Sequence, residues 1–143
     1  MFSKSKQKSN SRIDTLVGAD TTIQGDIAFS GGLRVDGCVR GNVRETSSSS
    51  GTLVLSEHGR IEGAIDVGHA VINGTVVGPV NASSYVELQA KSRVTGDVSY
   101  KMLEMHMGAV VEGKLNYRDD SAETRSPIAA GSESTENTMK PGN

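Results

Sequence analysis

A chain of 143 residues is enough for one domain with a modest core. It has no Trp, two Phe and three Tyr, so large aromatic rings cannot build that core. Its 17 Gly and abundant Val, Ile and Leu favour many short strands joined by tight turns. A formal net charge of −2 speaks against nucleic acid as the primary partner, and the single cysteine, Cys38, excludes an intramolecular disulfide framework or a zinc site built on several thiolates.

Residues 1–12 read as a disordered basic arm, carrying Lys4, Lys6, Lys8 and Arg12 with no acid. Its start, Met1-Phe2-Ser3-Lys4, has no apolar stretch after the charges, so no secretory signal is visible. No apolar run approaches the ~18–20 residues of a membrane span, and a cytoplasmic protein is expected. Residues 13–118 hold nearly all the Val, Ile and Leu. Residues 119–143 read as a disordered acidic tail, rich in Ser, Thr, Gly and Asn and too poor in apolar surface to offset ordering entropy.

The middle segment repeats one pentad: apolar, any, Gly, any, apolar. It runs through Ile23-Gln-Gly25-Asp-Ile27, Val35-Asp-Gly37-Cys-Val39, Val39-Arg-Gly41-Asn-Val43 and Ile61-Glu-Gly63-Ala-Ile65. Ile72-Asn-Gly74-Thr-Val76, Val76-Val-Gly78-Pro-Val80, Val94-Thr-Gly96-Asp-Val98 and Val111-Glu-Gly113-Lys-Leu115 follow. Strand side chains alternate between faces, so the two apolar residues, and the Gly between them, are expected to face inward. Separations of 4 and 2, as in Ile23, Ile27, Phe29, Leu33 and Val35, keep strand parity, and interior Gly at ~1 kcal/mol each argues against helix.

The Gly spacing sets the coil. Gly63 to Gly78 is 15 residues, Gly78 to Gly96 is 18 and Gly96 to Gly113 is 17; Val86 aligns with Leu103 and Leu88 with Met105. Such a step is too long for one strand and suits three short strands per turn. The expectation is an all-β parallel β-helix, a solenoid of about six three-stranded turns. The long interval from Gly41 to Gly63 contains Thr46-Ser-Ser-Ser-Ser50, read as a loop bulging from a corner.

A solenoid has two flat ends, and monomeric ones are usually capped. No cap is legible. Ile13 and Leu16 open the repeat directly after the basic arm, and Leu103, Met105, Met107, Val111, Leu115 and Tyr117 close it. By parity Leu103, Met105, Met107, Val111 and Leu115 share the inward side, and adaptable Met suits a surface that repacks on a partner. These residues are the expected polymerisation interface, with a second copy of the chain as partner.

The stretches Ile13-Asp-Thr-Leu-Val-Gly18-Ala-Asp-Thr-Thr-Ile23-Gln-Gly25-Asp-Ile27 and Phe29-Ser-Gly-Gly-Leu33-Arg-Val35-Asp-Gly37 resemble the bactofilins, bacterial cytoskeletal proteins. The resemblance implies a right-handed β-helix that polymerises through its terminal turns, without nucleotide, into non-polar filaments. It also implies a role in cell shape and in positioning cell-wall enzymes or other client proteins. The start of the chain resembles a membrane-targeting segment of some members, which assigns membrane contact to Met1, Phe2, Lys4, Lys6 and Lys8 and places the protein at the inner face of the cytoplasmic membrane. The chain departs from the family in its Ser-rich insertion and in using Met in the last turn where some members present Phe.

No catalyst is legible, and no cofactor or metal is expected. His58 and His69 sit in turn-like stretches, His106 lies outward between two Met, and there is no His-Glu-x-x-His motif. Asp36, Glu62, Asp97 and Glu112 fall at outward pentad positions and read as solvated charges. Cys38 is outward too. Gly-Gly-Leu-Arg-Val-Asp-Gly at 31–37 lacks the Lys-Ser/Thr ending of a phosphate loop. Two alternatives stand beside the scaffold. An acyltransferase on a left-handed β-helix needs a six-residue step that the pentads do not keep, and a soluble binding module would never polymerise.

Overall fold

The computed structural model describes residues 12–46 and 51–118. The basic arm up to residue 11, residues 47–50 of the Ser-rich insertion and the acidic tail lie outside the described residues. Sixteen strands and no helix fill the rest. The first turn holds β1 (Thr15–Val17), β2 (Thr22–Gln24) and β3 (Ile27–Phe29); the second holds β4 (Gly32–Val35), β5 (Cys38–Arg40) and β6 (Val43–Glu45). The third begins with β7 (Thr52–Leu55) and β8 (Arg60–Glu62) and runs into β9 (Ile65–Ile72), which rounds a corner into the fourth. There β10 (Thr75–Val77) leads to β11 (Val80–Leu88), which rounds the same corner into the fifth, with β12 (Arg93–Thr95) and β13 (Val98–Tyr100). The sixth turn is β14 (Met102–Met105), β15 (Val110–Glu112) and β16 (Leu115–Tyr117).

Every ladder is parallel and joins one turn to the next. The second face is a sheet of six, in the order β15-β12-β10-β8-β5-β2. The first face stacks β1, β4, β7, the second halves of β9 and β11, and β14; the third stacks β3, β6, their first halves, β13 and β16. This is the expected parallel solenoid of about six three-stranded turns. The register reproduces the sequence alignment: Thr75 sits on Arg60, Arg93 on Thr75, Val110 on Arg93, and Leu88 on Met105. The long interval opens between β6 and β7, at the corner from the third face to the first.

The core is a stack of like side chains. Val39, Ile61, Val76 and Val94 form the inward column of the second face, each at 0% exposure. Leu33, Leu53, Ala70 and Val86 do the same on the first face, and Val43, Ile65, Val80 and Val98 on the third. Aliphatic branching fits a narrow tube in which each residue packs on its equivalent in the adjacent turn.

The pentad marks corners, and it marks two kinds. Six copies, one per turn, span the corner from the second face to the third: the first apolar residue ends one inward column and the last begins the next. The copies at Val35–Val39 and Ile72–Val76 instead span the corner from the first face to the second, where the connection is short. The other connections at that corner are four-residue turns, closed by Thr21 N–H to Gly18 C=O, Gly59 to Ser56, Ser92 to Gln89 and Ala109 to His106 at 2.9–3.1 Å.

The pentad Gly does not face inward as parity predicts. A Cβ on Gly63 would collide with the carbonyl of Gly41, one on Gly78 with Gly63, and one on Gly96 with Gly78. The missing side chain points along the stack, into the backbone of the preceding turn. Gly is required by close approach between coils, and at Gly63 also by a φ of +158°.

The residue after that Gly has a role of its own. Asn42 N–H donates to Asp26 Oδ1, Ala64 N–H to Asn42 Oδ1 and Lys114 N–H to Asp97 Oδ1, each at 2.9 Å. The side chain satisfies a corner amide of the next turn. Ala64 has no acceptor to offer, but Pro79 above it has no N–H.

Candidate assembly ends

Strands β1, β2 and β3 each pair only with the second turn, and β14, β15 and β16 only with the fifth. Among the described residues both ends therefore present three strand edges with no further strand on them. Such edges carry unmet donors and acceptors and are templates for another chain.

Apolar exposure concentrates at the same two places. At the first turn the inward Ile23 and Ile27 are only half-buried, Ile13 is exposed, and Leu16 is 57% exposed. Leu16 belongs to the outer side of β1, whereas Val17 next to it enters the core. At the sixth turn Leu103 and Val111 are partly buried, while Met105, Leu115 and Tyr117 are exposed. The Tyr117 ring meets Tyr100 edge-on at 6.2 Å. Met107 departs from its expected inward parity. It occupies the tip of the turn 106–109 and is 92% exposed, because the chain leaves strand geometry after Met105. The expected interface also left out Ile23, Ile27 and the exposed Met102. The membrane-contact residues Met1, Phe2, Lys4, Lys6 and Lys8 lie outside the described residues.

Both terminal turns are pinned at their margins. Asp14 accepts the Gly32 N–H at 2.9 Å and pairs with Arg12 at 3.0 Å. The Gly32 hydrogen bond first, then Arg12, hold its carboxyl below the usual aspartate range against an opposing effect of burial. At the other end Arg118 N–H donates to the Tyr100 carbonyl at 2.6 Å, and its guanidinium to Asn81 Oδ1 at 3.2 Å.

Of the histidines, His58 does lie in a turn, beside Glu57 at 3.3 Å. His69 does not. It belongs to β9, its ring is 6.4 Å from that of Tyr85, and its Nδ1 is buried without a hydrogen-bond partner. His106 gathers two carboxylates, with Nε2 at 3.0 Å from Glu87 Oε2 and 3.1 Å from Glu104 Oε2. Tyr85 Oη donates to Glu104 Oε1 at 2.6 Å. That bond, with burial and the charge of Glu87 behind it, pushes the Tyr85 hydroxyl up to about 12. Sequence reading missed this cluster, although the one-turn step that aligns Leu88 with Met105 also places Glu104 on Glu87.

The other acids are dispersed. Asp36 pairs with Arg34 at 2.8 Å, and Glu62 is held low chiefly by Arg60 at 2.6 Å, with Arg40 at 3.6 Å. Asp97 serves a corner amide. They sit on different faces and corners and form no acid–base pair. Cys38 is outward, as expected, and half-buried. Among the described residues no helix is long and apolar enough to cross a membrane.

A family model described as "Bactofilin: Polymer-forming cytoskeletal" matches residues 15–116. Bactofilin BacP of Myxococcus xanthus (strain DK1622) is 29% identical over 120 residues, which covers 83% of this chain and 48% of that protein. The chain thus spans about half of BacP's length. Bactofilin BacO of the same organism is 29% identical over 103 residues, covering 72% of this chain and 79% of that protein. No solved structure matches significantly.

Proposed function

Because the chain belongs to the bactofilin family of polymer-forming cytoskeletal proteins, we propose that it stacks end to end, without nucleotide, into non-polar filaments at the inner face of the cytoplasmic membrane. There it serves as a scaffold that positions cell-shape or cell-wall proteins, and not as an enzyme. The observation that supports end-to-end stacking is the pair of open terminal turns, where strand edges and half-covered apolar columns coincide. A second copy placed on either end extends the ladders and covers those columns. The interface residues are Ile13, Leu16, Leu103, Met105, Met107, Val111, Leu115 and Tyr117, joined by Ile23 and Ile27.

Membrane contact through Met1, Phe2, Lys4, Lys6 and Lys8 then depends on assembly. Four basic residues, counting Arg12, contribute about 1 kcal/mol each near an anionic leaflet, and Phe2 roughly 1.5–3 kcal/mol. A sum of about 6 kcal/mol leaves a single chain between millimolar and micromolar affinity. A filament that carries many arms binds firmly, since later contacts are intramolecular.

Electron microscopy of purified protein without nucleotide, paired with light scattering, tests the proposal. Filaments are expected in the absence of ATP and GTP. A discrete monomer at high concentration overturns it.

A further inference from the structure

The geometry points to a divalent-metal site of the zinc class on the outer first face, formed by Glu87, Glu104 and His106. Glu87 comes from the fifth turn, and Glu104 and His106 from the sixth. One donor atom from each lies within 4.8 Å of the others. His106 Nε2 stands 3.0 Å from Glu87 Oε2 and 3.1 Å from Glu104 Oε2. Donors that bind zinc at about 2.0–2.2 Å stand about 3.0–3.6 Å apart around the ion, so two of the three separations already match. The third closes by a rotation of Glu104, the most exposed of the three side chains at 55%.

One imidazole and two carboxylates suit zinc, cobalt or nickel better than magnesium, which prefers oxygen donors. Both carboxylates are also held by neighbouring side chains, Glu104 from behind and Glu87 at the oxygen that faces His106. Gln89 Nε2 donates to Glu87 Oε2 at 3.1 Å, and Tyr85 Oη to Glu104 Oε1 at 2.6 Å, which leaves Glu104 Oε2 turned towards the imidazole. Partners of this kind fix ligand direction in metal sites. Three protein ligands on an open face leave a position for water or a fourth donor. The bound ion joins the last turn to the one before it. The inference rests on these side chains alone and is independent of filament formation.

The test uses the untagged full chain, stripped with EDTA and titrated with Zn²⁺ by calorimetry and with Co²⁺ by visible absorption. One ion per chain is expected, with Mg²⁺ failing to compete. His106→Ala should weaken Zn²⁺ binding at least 100-fold, Glu87→Gln at least tenfold, and Tyr85→Phe about 10–100-fold as a positioning residue. His58→Ala should leave it unchanged. Zn²⁺ should also slow amide exchange across Met102–Met105 in the parent chain and not in His106→Ala. Glu104→Gln, checked by circular dichroism, replaces any variant that fails to fold. No uptake by the parent chain, or uptake that persists in both His106→Ala and Glu104→Gln, overturns the site.

Discussion

On the second face the interior and terminal turns carry the same kind of residue, Ile or Val, in the same register, yet they differ in burial. Val39, Ile61, Val76 and Val94 are fully buried, while Ile23 and Val111, at the two ends of that column, are only half-covered. No change of residue type accounts for this. What the end residues lack is a neighbouring turn on one side. Burial in this fold is supplied along the stack, so each turn is stabilised chiefly by the turns that touch it. In the proposed end-to-end stacking, the burial that folding supplies along the chain continues across a chain boundary.

The sharpest way to break that comparison is to fill the space between turns. Gly63→Val drives a side chain into the Gly41 carbonyl, in a backbone conformation that suits Gly. It should cost more than about 4 kcal/mol or abolish folding. Gly25 also has a positive φ, of +134°, but nothing lies within 4 Å of its missing Cβ. Gly25→Val should cost only about 1–3 kcal/mol, the strain of the backbone alone. Urea unfolding of both variants checks the ratio; equal losses would mean that contact between turns does not set the Gly requirement.

Core truncation should show the same gradient at smaller size. Ile61→Ala leaves a cavity enclosed on all sides and should cost about 2–5 kcal/mol. Val111→Ala, at the half-covered end of the column, should cost about 1 kcal/mol or less. Leu115→Asp tests the ends directly. Leu115 is 42% exposed, so a charge there should change stability by less than about 1 kcal/mol and yet eliminate filaments. Filaments of normal length from Leu115→Asp, seen by electron microscopy, would remove this residue from the interface.

Much of this architecture was legible because the register of a solenoid is printed in its spacing. The steps between Gly63, Gly78, Gly96 and Gly113 equal the ladder steps observed, and Val86 over Leu103 needed nothing more than alignment. Parity reasoning failed where the chain changes direction. It treats a run of residues as one strand, so it turned Gly63 inward and Met107 with it, although both sit where strand geometry is interrupted. It also merged two kinds of corner into one pentad. His69 looked like a turn residue because Gly68 precedes it, but β9 carries the backbone through that corner. The contacts of His106 were hidden for a different reason. Glu87 is far from it in sequence, and only the stacked register brings the two side chains together. The hand of the coil follows from none of these spacings.

The smallest effect expected belongs to the first turn and separates a pinned margin from an open edge. Asp14 accepts the Gly32 N–H across the ladder that joins the first turn to the second. Its carboxyl is held below the ordinary value of 3.8 in the folded chain, so folding favours the ionised form. The sign follows directly. The contribution is fully present above the unfolded value and is lost as pH falls through the lower folded one. Acid should therefore loosen the join between the first turn and the second. In the assembly-blocked Leu115→Asp chain, the Gly32 amide resonance should titrate with a midpoint below 3.8, and Asp14→Asn should remove that titration. A midpoint at or above 3.8 would show that the ladder does not hold this carboxylate. The first turn would then be joined to the second by backbone and apolar contacts alone.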